Sequence, residues 1–304
     1  MTVLCTNAGA TQSLAMDTAA IKTIVESVAI LADRHDFEAL ETLFADEIHV
    51  DYTSLVGGEP VVQSPQGLMT EWAGVLPGFD RTRHAISNIR VELDGERAVA
   101  TADVTADHYV ADLAWQVEGQ YRYELVRSAG QWRITATAFR LLAEAGTRDV
   151  FSIATKNAAE APPPYVVRQQ SQQTVLKFLD ALENKDMAGL AAVWHERAVL
   201  DMPFSPPGHP KRVVGKNDLV ALYADWPKNA GRADFTSQLV LYPMRDPEMV
   251  FAEFHGDVDI IPTARRYRQR YGGLFHVSDG KIQLLREYFD PAPFAWAFGL
   301  AVKE

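Results

Sequence analysis

Two histidines and one aspartate in the first half of the chain have the residue types and surroundings that acid–base chemistry requires. Asp33 directly follows the apolar turn VAILA, so its carboxylate is expected beside buried side chains. His84 lies in the segment TRHAISN, and His108 lies near the end of an alternating strand. A carboxylate that partners an imidazole raises its basicity and fixes its tautomer, so the ring can remove a proton at neutral pH. We therefore predict that Asp33 forms an acid–base unit with His84 or His108.

Each of these residues also has an ordinary structural explanation. Asp33 could cap the following helix, since aspartate is a favoured N-cap. His84 could be a hydrogen-bonded turn residue, and His108 could be a core residue whose ring nitrogens are hydrogen-bonded. For His108, the run RAVATADVTADHYV favours a functional role over a structural one. Its inward positions are mostly alanines, which fill little volume and can leave a cavity near His108.

The second half carries its own set of charged candidates. Glu253, Arg268, Arg270 and Glu287 occupy alternating strand positions that could share the inner face of a sheet. A buried carboxylate among apolar side chains has a raised pKa and can donate a proton, whereas an adjacent arginine holds it ionised. An ion pair between Glu287 and Arg270 across neighbouring strands is the structural alternative.

The elements that position these residues follow one plan, which occurs twice. HDFEALETLFADEIHVDY (35 to 52) aligns with KDMAGLAAVWHERAVLDM (185 to 202) at an offset of 150, and Gly130 aligns with Gly280 at the same offset. In each half, apolar residues at helical spacing precede several runs of period two. This order predicts two α+β domains, each with N-terminal helices packed on a curved, mostly antiparallel sheet.

We place the boundaries from the same patterns. A loose N-terminal tail covers 1–15, the first domain covers 16–150, a linker around three prolines covers 151–168, and the second domain covers 169–304. The aromatic segment FDPAPFAWAFGL near the C-terminus indicates a packed cap over a pocket or an interface.

Composition and missing motifs exclude several classes of function. Asp and Glu outnumber Lys and Arg by 40 to 29, and the net charge of -11 disfavours nucleic acid and anionic membranes as partners. The chain has a single cysteine, lacks H-E-x-x-H and shows no nucleotide-binding motif. We therefore expect a soluble, cytoplasmic protein that needs neither a metal nor an organic cofactor.

The first half resembles the scytalone dehydratase-like branch of the SnoaL-like, NTF2-like superfamily over about residues 16 to 145. The segments HDFEALETLFADEIHVDYTSL, TRHAISN, ELDGERAVATADV and DHYV carry the resemblance. It implies a cone-shaped α+β barrel and catalysis by Asp33, His84 and His108. It also implies that Tyr52 orients a substrate oxygen or bound water. The implied chemistry is elimination or isomerisation through an enol or enolate.

The chain departs from scytalone dehydratase at three positions of this half. Ala32 stands where that enzyme has a tyrosine, and Gly119 and Tyr121 stand where it has serine and asparagine. The identity of the substrate therefore does not transfer. We expect Tyr121 to contact the substrate, together with Glu253 and Arg270 of the second half.

The second half resembles the phenazine-biosynthesis and ketosteroid-isomerase-like branch of the same superfamily. WHERAVLDMPFSPPG and DGKIQLLREYFDP carry this resemblance, which implies that Glu287 is a general acid. At the offset of 150, Asp33 corresponds to Glu183, Tyr52 corresponds to Met202, and the region of His84 falls on Phe235 or Thr236. The dehydratase residues are thus not repeated.

The sequence as a whole predicts a cofactor-independent lyase, a dehydratase of a hydrophobic hydroxy-ketone, polyketide, steroid or aromatic intermediate. One alternative is an isomerase or cyclase that works through Glu287. The other is a non-catalytic protein that binds small molecules, since related folds often carry ligands without catalysis. The expected partner is a small hydrophobic substrate. The two halves are expected to pack as an intramolecular pseudo-dimer, and a homo-oligomer is compatible with that.

Overall fold

The computed structural model of the protein describes residues 4–300, with side chains described from residue 12 onward. The chain divides into two compact units, Met1–Val166 and Val167–Glu304. The elements of the first unit are α1 Leu4–Asp33, α2 Phe37–Glu41, β1 Phe44–Asp51, α3 Thr53–Val56, β2 Val61–Gln63, α4 Pro65–Ala73, a 3-10 turn Leu76–Gly78, β3 Arg81–Asp94, β4 Arg97–Val110, β5 Leu113–Ser128, β6 Gln131–Gly146 and α5 Asp149–Glu160.

The second unit follows the same order of helices and then strands. Its elements are α6 Pro164–Asn184, which contains the unit boundary, α7 Met187–Val193, β7 Trp194–Asp201, β8 Arg212–Val214, α8 Lys216–Tyr223, α9 Trp226–Asn229, β9 Ala230–Asp234, β10 Val240–Pro243, β11 Met249–Ile260, β12 Arg265–Ser278, β13 Lys281–Tyr288 and α10 Pro291–Phe298.

Each unit contains one mixed sheet with a single parallel pair among its described strands. The first sheet has the order β2-β1-β6-β5-β4-β3, and the second has the order β10-β11-β12-β13-β7-β8, with β9 paired to β11. The parallel pairs are β1 with β6 and β7 with β13. The predicted α+β class and the tandem arrangement of two similar domains are therefore confirmed.

The first core lies between α1 and the inner face of the sheet. Ile21, Val25, Val28 and Ala32 recur at helical spacing and are all buried. Opposite them, alternate residues of β4 are buried, and four of these are the alanines 98, 100, 102 and 106. The distance between α1 and the sheet is therefore determined by small side chains on the sheet and by an apolar stripe on the helix.

Matching helix caps show that the repeat extends to backbone detail. The Asp36 side chain accepts a hydrogen bond from Ala39 N at 3.2 Å, and the Asp186 side chain accepts one from Gly189 N at 2.9 Å. The preceding residues, His35 and Lys185, have left-handed φ values of 57° and 58°. Asp36, not Asp33, therefore caps the second helix, which removes the structural alternative for Asp33.

We expect Asp36→Ala and Asp186→Ala each to lower the free energy of unfolding by about 1 kcal/mol, because each leaves a helix N-terminal N–H without its side-chain acceptor. Thermal denaturation of both variants would measure the effect. Asp46→Ala is the matched control, since Asp46 is exposed on β1. Equal stability of the cap variants and the control would contradict the expectation.

Two of the predicted boundaries differ from the structure. Most of the expected linker 151–168 is helical, because α5 buries Val150, Ala154 and Ala158 in the first unit and α6 begins at Pro164. Proline is tolerated in the first turn of a helix, so the three prolines end one helix and start another. The expected tail 1–15 is helical from Leu4, and its residues 1–3 lie outside the described residues.

None of the helices within residues 4–300 combines the length and the apolarity needed to cross a lipid bilayer.

Candidate active site

Asp33 and His84 meet where α1 ends beside β3. Asp33 Oδ1 lies 2.7 Å from His84 Nδ1, and Asp33 Oδ2 accepts a hydrogen bond from the His84 backbone N–H at 2.8 Å. Thr82 Oγ1 donates to Asp33 Oδ1 at 2.8 Å. An ionised carboxylate only accepts hydrogen bonds, so the proton between the two side chains is on Nδ1. The other ring nitrogen, Nε2, is then free to accept a proton when the ring is neutral.

Burial and hydrogen bonding act on Asp33 in opposite directions. Partial burial raises the pKa of its carboxyl, but the hydrogen bonds and charge of His84 and the hydroxyl of Thr82 outweigh it and lower the pKa overall. Asp33 is therefore ionised at neutral pH. An ionised partner stabilises the imidazolium that forms when His84 takes up a proton.

The register of the sheet places the second histidine next to the first. His84 pairs with Ala106, and Thr82 pairs with His108, in the antiparallel ladder of β3 and β4. The two imidazole rings lie edge to face, with their centroids 5.3 Å apart. Of the two pairings that the sequence left open, the structure therefore shows Asp33 with His84, while His108 contacts the His84 ring.

His108 is held in an apolar environment that favours its neutral form. Its ring packs against Phe79, Trp115 and Phe151, and the residue is only 5% exposed. Burial, followed by the nearby charge of His84, lowers the pKa of His108 to about 4. Its Nδ1 has no hydrogen-bond partner among the described residues. His108 is thus a neutral group at pH 7.

A cavity of about 170 Å³ lies in front of the histidines, beneath α1. Val104 and Ala106 of β4 form part of its wall, as the small-residue pattern predicted. Its lining residues are Val28, Ala29, Ala32, Tyr52, Leu55, Trp72, Val75, Leu76, His84, Val104, Ala106, His108, Trp115, Val117, Tyr121, Phe139 and Phe151. Asp33 is not among them, so it supports His84 from behind the cavity wall.

Two buried phenols face this cavity. Burial raises the pKa of Tyr52 to about 12, despite its hydroxyl lying 3.4 Å from Thr137 Oγ1. Burial also raises the pKa of Tyr121 above its ordinary value. Both hydroxyls keep their protons at neutral pH and can donate hydrogen bonds to a substrate oxygen. The structure therefore brings together four predicted residues, Tyr52, His84, His108 and Tyr121, with Asp33 bonded to one of them.

The structure does not place Glu253 and Arg270, the predicted substrate contacts of the second half, at either cavity. Both are exposed, and Glu253 accepts a hydrogen bond from the Tyr242 hydroxyl at 3.1 Å. The inner face of β12 carries Tyr267 and Gln269 instead, because neighbouring residues of a strand point to opposite faces. Arg270 therefore cannot pair with Glu287, and Arg268 points outward with it.

Glu287 is the one predicted residue of the second half that faces a cavity. This second cavity is also about 170 Å³ and is covered by Phe294 and Phe298 of α10, as the aromatic C-terminal segment indicated. Within the described part of the chain, the Glu287 carboxyl has no hydrogen-bond or ion-pair partner. Burial raises its pKa to about 7.

The offset of 150 relates the two cavities position by position. Tyr121 and Phe139 line the first, and their counterparts Tyr271 and Phe289 line the second. Thr137 pairs with Tyr123 across its hairpin, and its counterpart Glu287 pairs with Gly273. The two cavities therefore share the same framework of aromatic residues and strand pairs. They differ in the polar group at one position, which is the hydroxyl of Thr137 in the first domain and the carboxyl of Glu287 in the second.

The second domain keeps a carboxylate at the position of Asp33 and its hydrogen bonds to the neighbouring strand segment, but it has no histidine there. Glu183, the counterpart of Asp33, accepts hydrogen bonds from the backbone N–H groups of Phe235 at 2.9 Å and Thr236 at 3.1 Å. The Thr236 hydroxyl donates to the same oxygen at 2.9 Å. Phe235 lines the second cavity where His84 lines the first, so a carboxylate–histidine pair occurs at this position in the first domain alone.

Sequence reasoning missed several residues of these sites. Thr82 was missed because its hydroxyl becomes relevant only when β3 is placed against the end of α1. Trp115, Thr137 and His209 gave no distinctive signal, although the offset from Glu287 leads to Thr137. No three His, Cys, Asp or Glu side chains converge on a possible metal position in the part of the chain that the structure describes.

Comparisons with known proteins give matches to each half of the chain. Models of SnoaL-like domains match residues 14–138 and 175–285. The uncharacterised protein YesE of Bacillus subtilis is 35% identical over 131 residues, which are 43% of this chain and 88% of YesE. The PhzA/B-like protein PA3332 of Pseudomonas aeruginosa is 29% identical over 129 residues, which are 42% of this chain and 90% of that protein.

Among solved structures, a Bacillus subtilis protein with a provisional isomerase assignment is 32% identical, with a TM-score of 0.42. The match covers 45% of this chain and 99% of that one.

Proposed function

Because the chain belongs to the SnoaL-like family and carries two such domains in tandem, we propose that its first domain is a cofactor-independent lyase. The reaction is the dehydration of a hydrophobic hydroxy-ketone or a related polyketide, steroid or aromatic intermediate. The observation that carries this proposal is the hydrogen-bonded Asp33 and His84 pair at the wall of an apolar cavity.

The groups at the cavity supply what a β-elimination needs. His84 Nε2 removes a proton from the carbon next to the ketone, and the electron pair moves to the carbonyl oxygen to give an enolate. Tyr52 donates a hydrogen bond to that oxygen. The enolate then re-forms the carbonyl and expels the β-hydroxyl, which leaves as water with the proton from His84. The products are an enone and water, and His84 returns to its neutral form.

Asp33 and His108 adjust His84 in complementary ways. The Asp33 carboxylate keeps Nδ1 protonated and stabilises the imidazolium of His84 between the two proton transfers. His108 remains neutral at pH 7, so it adds no positive charge that would oppose protonation of its neighbour. The apolar walls exclude water from the enolate and strengthen the hydrogen bond from Tyr52.

The test is turnover of a panel of β-hydroxy ketones, followed by the absorbance of the conjugated enone, in wild type, Asp33→Asn and Glu287→Gln. Loss of turnover in Asp33→Asn alone supports the lyase. Loss in Glu287→Gln alone supports the second candidate, an isomerase or cyclase, which the Glu287 carboxyl at the second cavity favours. The third outcome indicates a binding protein. In it, ligands that resemble the substrate bind to wild type, and neither substitution changes the turnover of any ketone in the panel.

We expect Tyr52→Phe to lower kcat by about 100-fold, because it removes one donor to the developing enolate oxygen. KM should change little, since a ketone accepts a weaker hydrogen bond than an enolate does. Steady-state kinetics on the substrate found above would measure both constants. Tyr109→Phe, on the outer face of β4, is the matched control. A rise in KM with unchanged kcat would assign Tyr52 to substrate binding only.

A further inference from the structure

The walls of the second cavity are unusually aromatic. Nine of its sixteen lining residues are Phe, Tyr or Trp. They come from separate elements, among them Phe254 of β11, Tyr271 of β12 and Phe294 of α10. Tyr271 stacks on Phe254, with ring centroids 4.8 Å apart and planes 10° apart. Aromatic side chains therefore enclose this space from several directions.

The cavity has negative but no positive side chains. The Glu287 carboxyl lies inside it, and Asp225 lies at its exposed rim, where it pairs with Lys228. None of the described lining residues is a lysine or an arginine. His209 stacks on Phe294 at 4.8 Å, and burial lowers its pKa, so it contributes no charge at neutral pH.

The neighbours of Glu287 leave its carboxyl without a protein partner. Across the β12 and β13 hairpin it faces Gly273, which has no side chain to donate a hydrogen bond. The hydroxyls of Tyr267 and Tyr271 lie 2.6 Å apart and bond to each other. An ionised carboxylate in an apolar site is costly unless a counter-charge accompanies it. None of the described lining residues supplies that charge at neutral pH, whereas a cationic ligand would.

We propose that the cavity of the second domain binds an organic cation, a compact substituted ammonium or a protonated nitrogen heterocycle. Glu287 is the counter-ion, and the aromatic side chains form a cage around the cationic group. Ring faces attract cations, and the attraction is strongest where water is excluded. The first cavity lacks this function, because Thr137 occupies the position of Glu287 and its hydroxyl lies near that of Tyr52.

The experiment compares two probes of the same shape on the full chain: choline, and 3,3-dimethyl-1-butanol, in which carbon replaces the quaternary nitrogen. Above pH 7, where Glu287 is ionised, choline should bind at least about 10-fold more tightly by NMR titration. The preference should shrink below pH 7 and fall in Glu287→Gln to the smaller part that the aromatic rings supply. In Phe294→Leu, binding of choline should weaken more than binding of the alcohol.

Glu253→Gln is the matched control, since this glutamate lies on the outer face of the same sheet. It should leave the preference for choline unchanged. Equal binding of both probes by wild type, a preference that is undiminished in Glu287→Gln, or no binding of choline would overturn the proposal. The binding readout does not involve the first domain, so failure of the proposed lyase activity would leave this result intact.

Discussion

Asp33→Asn is expected to lower kcat by about 1,000- to 10,000-fold. Three donors bond to the Asp33 carboxylate: the His84 ring, the His84 backbone N–H and the Thr82 hydroxyl. An asparagine offers only one oxygen, so its NH₂ group must face a donor at one of these contacts. The backbone N–H cannot turn away, whereas the imidazole can take its other tautomer. Nε2 would then carry the proton and could not act as a base.

The tautomer can be observed directly in nitrogen-15 spectra of the histidine rings. Wild type should show His84 protonated at Nδ1, and Asp33→Asn should show it protonated at Nε2 or in a mixture of the two forms. Asp46→Asn, a surface change of the same kind, should keep both wild-type activity and wild-type tautomer. Full turnover in Asp33→Asn would exclude the proposed acid–base unit.

Glu287→Gln is expected to make the second domain more stable than wild type at neutral and higher pH. Between pH 4.5 and this range, the free energy of unfolding of the variant should rise by about 3 kcal/mol relative to that of wild type. Burial raises the pKa of Glu287 from 4.5 to about 7 in the folded protein. The folded state therefore binds more protons than the unfolded state between these values. The contribution of Glu287 to stability is present below pH 4.5 and is lost as the pH rises to 7. Glutamine does not titrate.

Denaturant unfolding of wild type and Glu287→Gln at about pH 4.5 and about pH 8 would measure this difference. Comparing the two proteins at each pH cancels the titration of all other groups. Glu253→Gln, the same change at an exposed position on the outer face of the same sheet, is the matched control. A difference between Glu287→Gln and wild type that is the same at both pH values would contradict the expectation.

The sequence predicted that Asp33 pairs with one of two histidines because two local features agreed with the family resemblance. An apolar turn before Asp33 and alanines along the strand of His108 both indicate a buried space, and periodicity detects burial well. The choice between His84 and His108 depended on the register of β3 against β4, which places Thr82 opposite His108. Register depends on contacts between distant segments, so the sequence left both pairings open.

Glu253 and Arg270 show where the same reasoning fails. Alternation reveals that a strand has two faces, but it does not by itself reveal which face is inside when both carry polar residues. On β12 the inner positions hold Tyr267 and Gln269, and the arginines lie between them. For the linker, the prolines indicated that the helical pattern is interrupted, but they did not indicate how short the interruption is. Only residues 161–163, between α5 and α6, lie outside the helices.

The constant offset between the two domains also has an evolutionary consequence. From the caps at Asp36 and Asp186 to the glycine turns at Gly130 and Gly280, the spacing is the same in both halves. Descent of both domains from one ancestral fold explains this, with any later insertions and deletions balanced within each domain. At matching positions single side chains differ, phenylalanine in place of histidine and glutamate in place of threonine. One chain thus carries two chambers of common descent whose polar side chains have been exchanged while the frame around them was kept.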